Sequence, residues 1–194
     1  MSHLLTDHAI VLKRFNFGEA DKIITVLTRS YGKLSLIAKG VRRITSKRKG
    51  HLELFNHVHI SFTEPHSLGI LTEAETTHHF DNLKNDWERM GQAYHVCEVV
   101  DKLLPEYEEQ EYVFRLLIRI LEVLNDENKD KKREETVRIF EQTLLQKLGF
   151  WDEKALGTQT ILSPQEQKHL HLCYIQDIIE KELKSERIFR EAKE

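Results

Sequence analysis

Hydrophobic and polar positions alternate with the two-residue period of β-strands in parts of the first 80 residues, where glycine-marked turns separate short strand-like segments. Strand-like runs cover residues 9–15, 23–28, 33–39 and 69–75, with breaks at Gly18 and Gly32. The clearest alternation is LELFNHVHISF, residues 52–62, where Leu52, Leu54, Val58, Ile60 and Phe62 share one face. Five short strands in about 75 residues predict a small barrel, because closure removes exposed edges, and the oligonucleotide-binding (OB) barrel is the commonest such design in binding proteins.

From residue 81 onward the hydrophobic period becomes that of amphipathic helices. Apolar positions predict helices over residues 83–104 and 113–124, and a third from about Lys132 to a stop at Gly149. A last helix is predicted to begin at Ser163, with Pro164 in its first turn and Glu166 completing a capping box. The predicted fold class is therefore α+β, with a five-stranded OB-type barrel in residues 1–80 and an all-helical domain in residues 81–194.

Charge is distributed unevenly along the chain. The formal net charge is -3, yet the stretch KGVRRITSKRKG, residues 39–50, holds six cationic side chains and no acid. In a five-stranded barrel this stretch joins strands three and four, where Gly40 and Gly50 permit a mobile loop. A loop that serves only solubility usually mixes charge signs, so a single-sign cluster favours contact with nucleic acid or another polyanion.

Further cations and aromatic residues lie at the predicted strand ends and turns. Single-stranded nucleic acid is held by cations along its backbone and by aromatic faces that stack on bases. Tyr31, between Ser30 and Gly32, is the best stacking candidate, whereas Phe15 and Phe17 could equally cover the barrel ends. The cations in question are Lys13, Arg14, Lys22, Arg29, Lys33 and Lys39.

Other kinds of chemistry find little support in the sequence. The common nucleotide-binding, metalloprotease and hydrolase motifs do not occur, and two cysteines are too few for a four-cysteine zinc site. His57 and His59 would share a strand face, but a metal site needs a third converging ligand. We therefore expect a non-enzymatic protein without metal or cofactor. The N-terminus has no signal-peptide pattern and no apolar run is long enough to cross a bilayer, which predicts a cytoplasmic protein.

The chain resembles the RecO family of bacterial recombination mediators. The resemblance is carried by AIVLKRFNFGEADKIITVLTRSYGKLSLIAKGVRRITSKRKGHLELFNHVHISF, by GILTEAE, and more weakly by FEQTLLQKLGF and ELKSERIF. Its most specific parts are the GE-x-D-K turn, the T-x-x-x-G-K turn at Thr28, Gly32 and Lys33, and the AKG-x-R-R stretch. Many relatives carry a four-cysteine zinc module before the last helix, but here FWDEKALGTQTIL stands there without a cysteine.

The resemblance implies an OB domain that binds single- and double-stranded DNA, promotes strand annealing, and works with RecR and the single-stranded DNA-binding protein to load RecA. It implies a cytoplasmic, nucleoid-associated protein, which we expect to be monomeric by itself. Carried onto this sequence, the resemblance gives as DNA-binding candidates Lys13, Arg14, Lys33, Lys39, Arg42, Arg43, Lys47, Arg48 and Lys49. Arg29 and Tyr31 are added to these candidates because of their charge and position.

Two other functions stay open at this point. The barrel could be an RNA-binding module, because preference for RNA depends on contacts to the 2′-hydroxyl that a sequence does not show. Alternatively, the protein could be an adaptor whose basic loop binds an acidic protein. For a protein partner, the helical spacing predicts a surface formed by Arg115, Leu116, Arg119 and Ile120, although an ordinary solvated helix face explains the same pattern.

Overall fold

The computed structural model describes residues 3–63, 68–128, 133–151, 164–179 and 183. These residues form five strands followed by five helices. The strands are β1 (Leu4–Phe17), β2 (Asp21–Thr28), β3 (Lys33–Ala38), β4 (His57–Thr63) and β5 (Gly69–His78). The helices are α1 (Asp81–Asn85), α2 (Trp87–Leu103), α3 (Glu111–Asn125), α4 (Arg133–Lys147) and α5 (Pro164–Ile179).

The strands close into a barrel in the order β1-β2-β3-β5-β4. Neighbouring strands are antiparallel except β3 and β5, which run parallel. Alternate side chains fill the interior, as the two-residue period predicts; among them are Val26, Leu36, Ile60 and Phe62. The predicted fold class, a five-stranded barrel followed by helices, is confirmed.

The two ends of the barrel differ in their connections. The β1–β2 turn and the long β3–β4 connection, residues 39–56, lie at one end, here called the loop end. The β2–β3 turn, residues 29–32, lies at the other, here called the turn end. The stretch of residues 39–50, here called the basic loop, and the predicted stacking residue Tyr31 are therefore at opposite ends of the barrel.

The prediction of one strand over residues 52–62 was wrong in its first half. β4 begins only at His57, and residues 51–55 form turns in which Phe55 has a positive φ of 70°. Phe55 and Asn56 form backbone hydrogen bonds to Val11, beside an irregularity in the β1–β2 register between Val11 and Lys13. This geometry turns the Phe55 ring away from the barrel to meet Tyr94 of α2 edge-on, so tertiary packing overrode the alternating pattern.

The helices pack against one side of the barrel. Ile10, Leu12 and Leu27, on the outer face of β1 and β2, belong to the same hydrophobic cluster as the buried faces of α2, α3 and α4. Gly149 ends the α4 region with a φ of 76°, as predicted, whereas the predicted cap Ser163 and the start at Lys132 lie outside the described residues. Within the described part of the chain, no helix has the length and apolar character that a membrane span requires.

Candidate nucleic-acid interface

Arg48 anchors the basic loop to the barrel. Its Nη1 donates to the carbonyl oxygen of Leu71 at 2.8 Å and to that of Thr72 at 3.2 Å, and its Nη2 donates to that of Lys39 at 2.6 Å. Val41 within the loop and Leu52 just after it are buried in the barrel core. The loop is thus held to the barrel at several points, which differs from the mobile loop expected from its flanking glycines.

The loop also folds against the β1–β2 turn. The Arg42 amide donates to the Ala20 carbonyl at 2.9 Å, and the Arg42 Nη1 donates to the Gly18 carbonyl at 3.2 Å. The Gly40 amide donates to Oδ1 of Asp21 at 2.7 Å, from a backbone with a φ of 66° that favours glycine. These contacts join the basic loop and the β1–β2 turn into one continuous surface.

Cations crowd together on this surface. Lys39, Arg42, Arg43, Lys47 and Lys49 are exposed, and within the described residues none of them forms an ion pair with a carboxylate. Lys22, at the start of β2, has its pKa lowered by burial and then by the charge of Arg14; Glu53 opposes this decrease, and Arg42 and Lys49 add smaller decreases. We call Lys22 and these five exposed cations the basic surface.

Candidates at the turn end are engaged by carboxylates of the helices. Lys33 is buried: its Nζ donates to the Asp101 carbonyl and lies 3.7 Å from Oδ1 of the same residue. Burial lowers the pKa of Lys33, and the carboxylates of Asp101 and Glu106 partly offset this decrease. Nη2 of Arg29 lies 2.8 Å from Oε1 of Glu111. Both charges are already partnered within the chain.

Three more predicted residues occupy intermediate positions. Arg14 forms a 2.5 Å ion pair with Glu53, and the Lys13 Nζ lies 3.6 Å from Oδ2 of Asp101. Tyr31 meets Phe62 edge-on, with ring centroids 5.6 Å apart, and keeps 38% of its surface exposed. The predicted set is therefore divided into open cations, all of them at the loop end, and residues that are partnered or packed within the chain.

The acidic run EYEEQE is part of this division. This run covers residues 106–111 between α2 and the start of α3, and its Glu106 forms an isolated parallel β-bridge with Lys33 of β3. The Tyr107 amide donates to the Lys33 carbonyl at 3.0 Å, and Oγ of Ser35 donates to Oε1 of Glu106 at 2.9 Å. The turn end of the barrel consequently presents negative charge beside its few cations.

Comparison with protein families identifies this arrangement. The model of the recombination protein O N-terminal domain matches residues 1–80, and that of the C-terminal domain matches residues 84–151. A DNA repair protein RecO of Dehalococcoides mccartyi is 30% identical over 172 residues, which span 84% of this chain and 67% of the relative. This chain belongs to the RecO family.

Two further relatives agree with this assignment. DNA repair protein RecO of Symbiobacterium thermophilum is 38% identical over 141 residues, covering 73% of this chain and 55% of the relative. The protein of that name from Roseiflexus sp. is 35% identical over 142 residues, covering 73% of this chain and 49% of the relative. The present RecO-family chain thus spans about half to two thirds of the length of these relatives.

On α3 of this RecO-family chain, only part of the predicted partner surface is accessible. Arg115 and Arg119 are exposed and Leu116 is half-buried, but Ile120 is 3% exposed and packs in the helical core. Arg115 also forms a 2.8 Å ion pair with Glu111 one turn earlier. A partner on this helix would meet Arg115, Leu116 and Arg119 but not Ile120.

Sequence reasoning missed two contributors to the interface. Lys22 was counted among the cations without a contact being assigned to it, and Asp21 was not singled out. Both belong to the GE-x-D-K turn of the family, which was the available signal. Among the described residues, no three His, Cys, Asp or Glu side chains are placed to hold a metal ion.

Proposed function

We propose that this protein is a DNA repair and recombination mediator that binds single- and double-stranded DNA through the basic surface. One observation carries the proposal: the basic loop, held against the β1–β2 turn, presents a cluster of exposed cations that no carboxylate of the described residues neutralises. The names of the RecO relatives, all DNA repair proteins, support DNA as the polyanion.

The proposed mechanism is electrostatic and does not involve catalysis. Each cation that contacts a phosphate releases condensed counterions, so the affinity for DNA should fall steeply as salt rises. A surface that neutralises two backbones at once lowers the repulsion between complementary strands and so promotes their annealing. The anchored loop favours this role, because its cations are held in place before DNA arrives and less entropy is lost on binding.

Protein partners complete the proposed function. As in the RecO resemblance, we propose that the protein acts with RecR and the single-stranded DNA-binding protein, and through them assists RecA loading. The accessible α3 surface of Arg115, Leu116 and Arg119 is one candidate contact. In this proposal the protein is monomeric by itself, cytoplasmic and associated with the nucleoid.

The first test removes three loop cations that have no assigned anchoring role. The variant Arg43→Ala, Lys47→Ala, Lys49→Ala should reduce the slope of log affinity against log salt by about 2 for single strands and about 3 for duplex, from roughly 0.7 and 0.9 per phosphate contact. A matched control replaces three exposed cations of the helices, Lys102, Arg119 and Lys147, with Ala. Binding by the wild-type protein that does not change with salt, or equal losses in both variants, would contradict the proposal.

The second test addresses the finer role. Annealing of complementary strands coated with the single-stranded DNA-binding protein should be faster with the wild-type protein than with the loop variant. Parallel titrations with DNA and RNA of one sequence at one salt concentration separate the two nucleic acids. Tighter binding of RNA, without any annealing activity on coated DNA, would assign the barrel to RNA instead.

A further inference from the structure

A row of apolar side chains crosses the outside of the barrel near its loop end. Phe15 of β1 lies opposite Ile23 of β2, Ile23 lies opposite Ile37 of β3, and Ile37 lies opposite Ile70 of β5. Side chains that face each other across neighbouring strands are about 5 Å apart. The four residues therefore form one continuous strip, which we call the outer row.

The outer row does not belong to the packed interior. Adjacent positions such as Ile24 and Leu36 point into the barrel, so the row residues point outward. Neither hydrophobic cluster of the described structure includes Ile23, Ile37 or Ile70, and Phe15 is 46% exposed. Phe17, two positions further along the same face of β1, is 48% exposed. Ile23, Ile37 and Ile70 are half-buried, so the exposed part of this face is formed by the two phenylalanines. Exposed aromatic residues that continue into a partly buried apolar strip mark a candidate binding surface.

The helices cover only the other half of this outer face. Leu12 and Leu27 pack in the cluster shared with α2 and α3, and Thr25 and Lys33 of the same face are also buried. The outer row begins directly beyond Thr25. Packing between the barrel and the described helices thus does not account for it.

Cations flank the row on both sides. Lys39 follows β3 on the side of the loop end and is exposed. Lys13 lies opposite Thr25 on the side of the helices, where its Nζ is 3.6 Å from Oδ2 of Asp101 and 47% of its side chain is exposed. Asp21 lies opposite Phe17, but Oδ1 of its carboxylate is engaged by the Gly40 amide. Aromatic faces bordered by cations are the combination that holds bases and phosphates of single strands together.

We propose that Phe15 and Phe17, continued by the isoleucines of the outer row, form the surface on which bases of single-stranded DNA stack, while the basic surface holds the phosphates. This inference rests on the proposed function and deepens it, because it assigns the recognition of single strands to particular side chains. It also moves the stacking role away from Tyr31, which packs against Phe62 at the opposite end of the barrel.

The test compares aromatic truncation with a matched control. Phe15→Ala and Phe17→Ala should each weaken single-strand binding by about 5- to 150-fold, the range for loss of one stacked base. Duplex binding should change little, because duplex bases are already stacked and would have to be extruded to reach the phenylalanines. Phe150→Ala, which removes a phenylalanine 41% exposed in the helical part, should leave both affinities unchanged.

A second measurement gives a direct signal. In Phe15→Trp the aromatic face is retained, so single-strand affinity should be preserved, and oligothymidine should quench more tryptophan fluorescence than in the wild-type protein. Thermal unfolding of each variant verifies that the barrel stays folded. Because both phenylalanines are exposed, we expect the melting temperatures to stay close to that of the wild-type protein.

The outcomes separate this inference from the proposed function. If the wild-type protein shows salt-dependent DNA binding but both truncations keep full single-strand affinity, the stacking surface is refuted while the mediator proposal stands. Equal losses for single strands and duplex would also refute it. A change from dimer to monomer on truncation, without loss of single-strand affinity, would assign the outer row to self-association instead. Absence of any DNA binding by the wild-type protein would overturn the proposed function itself.

Discussion

We expect Arg48 to position the other loop cations, whereas a neighbour such as Lys47 would contact DNA directly. Arg48→Met keeps the length and apolar stem of the side chain but removes the guanidinium and its hydrogen bonds to three carbonyl oxygens. A hydrogen bond from a charged donor contributes about 1.5 to 3 kcal/mol, and less where water competes. Since two of the three bonds are exposed, we expect the loop to lose about 2 to 3 kcal/mol of local stability.

Hydrogen exchange of loop amides measures this loss directly. The amides of Arg42 and Ser46 are hydrogen-bonded in the folded loop, so a loss of 2 to 3 kcal/mol should speed their exchange by about 30- to 150-fold. DNA affinity should fall because the loop must be ordered on binding. Lys47→Ala, the matched control, should leave exchange unchanged and reduce the salt slope for duplex by about 0.9. Unchanged exchange in Arg48→Met, with a salt-slope loss equal to that of Lys47→Ala, would show that Arg48 is an ordinary DNA contact.

Two further predictions concern the contacts between barrel and helices. Gly32→Ala should destabilise the protein by about 2 to 4 kcal/mol, because the backbone has a φ of 71° and a Cβ would lie 1.9 Å from the Glu108 carbonyl oxygen; denaturant unfolding measures this. His57→Gln should flatten the decline of stability between pH 6.5 and 4. Burial and the neighbouring His8 lower the pKa of His57 to about 4, so its protonation favours unfolding and stability is lost as pH falls through this window. Because the side chain is only partly buried, the effect is limited to on the order of 1 kcal/mol.

Each of these two predictions has a matched control. Gly18→Ala, at a φ of 57° with no atom near the added Cβ, should cost only about 1 kcal/mol of stability. An equal cost at Gly32 would mean that the segment around Glu108, between α2 and α3, shifts freely to make room for the Cβ. His59→Gln replaces the exposed histidine two positions along β4. If His59→Gln changed the pH dependence of stability as much as His57→Gln, the burial of His57 against Phe114 would not be the cause of the decline.

Sequence predicted those features that depend on local pattern. The interior positions of β4 followed from two-residue alternation, and the stop at Gly149 followed from the preference of glycine for positive φ. The single-sign charge of residues 39–50 likewise marked the loop as a candidate polyanion contact, although it did not distinguish Arg48 from its neighbours. Arg48 carries the same charge as Arg43, and only the carbonyl oxygens of Leu71 and Thr72, more than 20 positions away, give it a different role.

Only the tertiary structure decided which cations stay open. Lys33 and Arg29 resemble Lys47 in the sequence, but Asp101 of α2 and Glu111 of α3 neutralise them, because folding brings these helices and the acidic run between them against the turn end of the barrel. The outer row arises in the same way, since its members come from four strands and meet only through the register between strands. Periodicity along the chain thus determined the fold class, and local charge determined which kind of partner we propose. Contacts between distant segments determined which cations on the barrel stay open for that proposed partner.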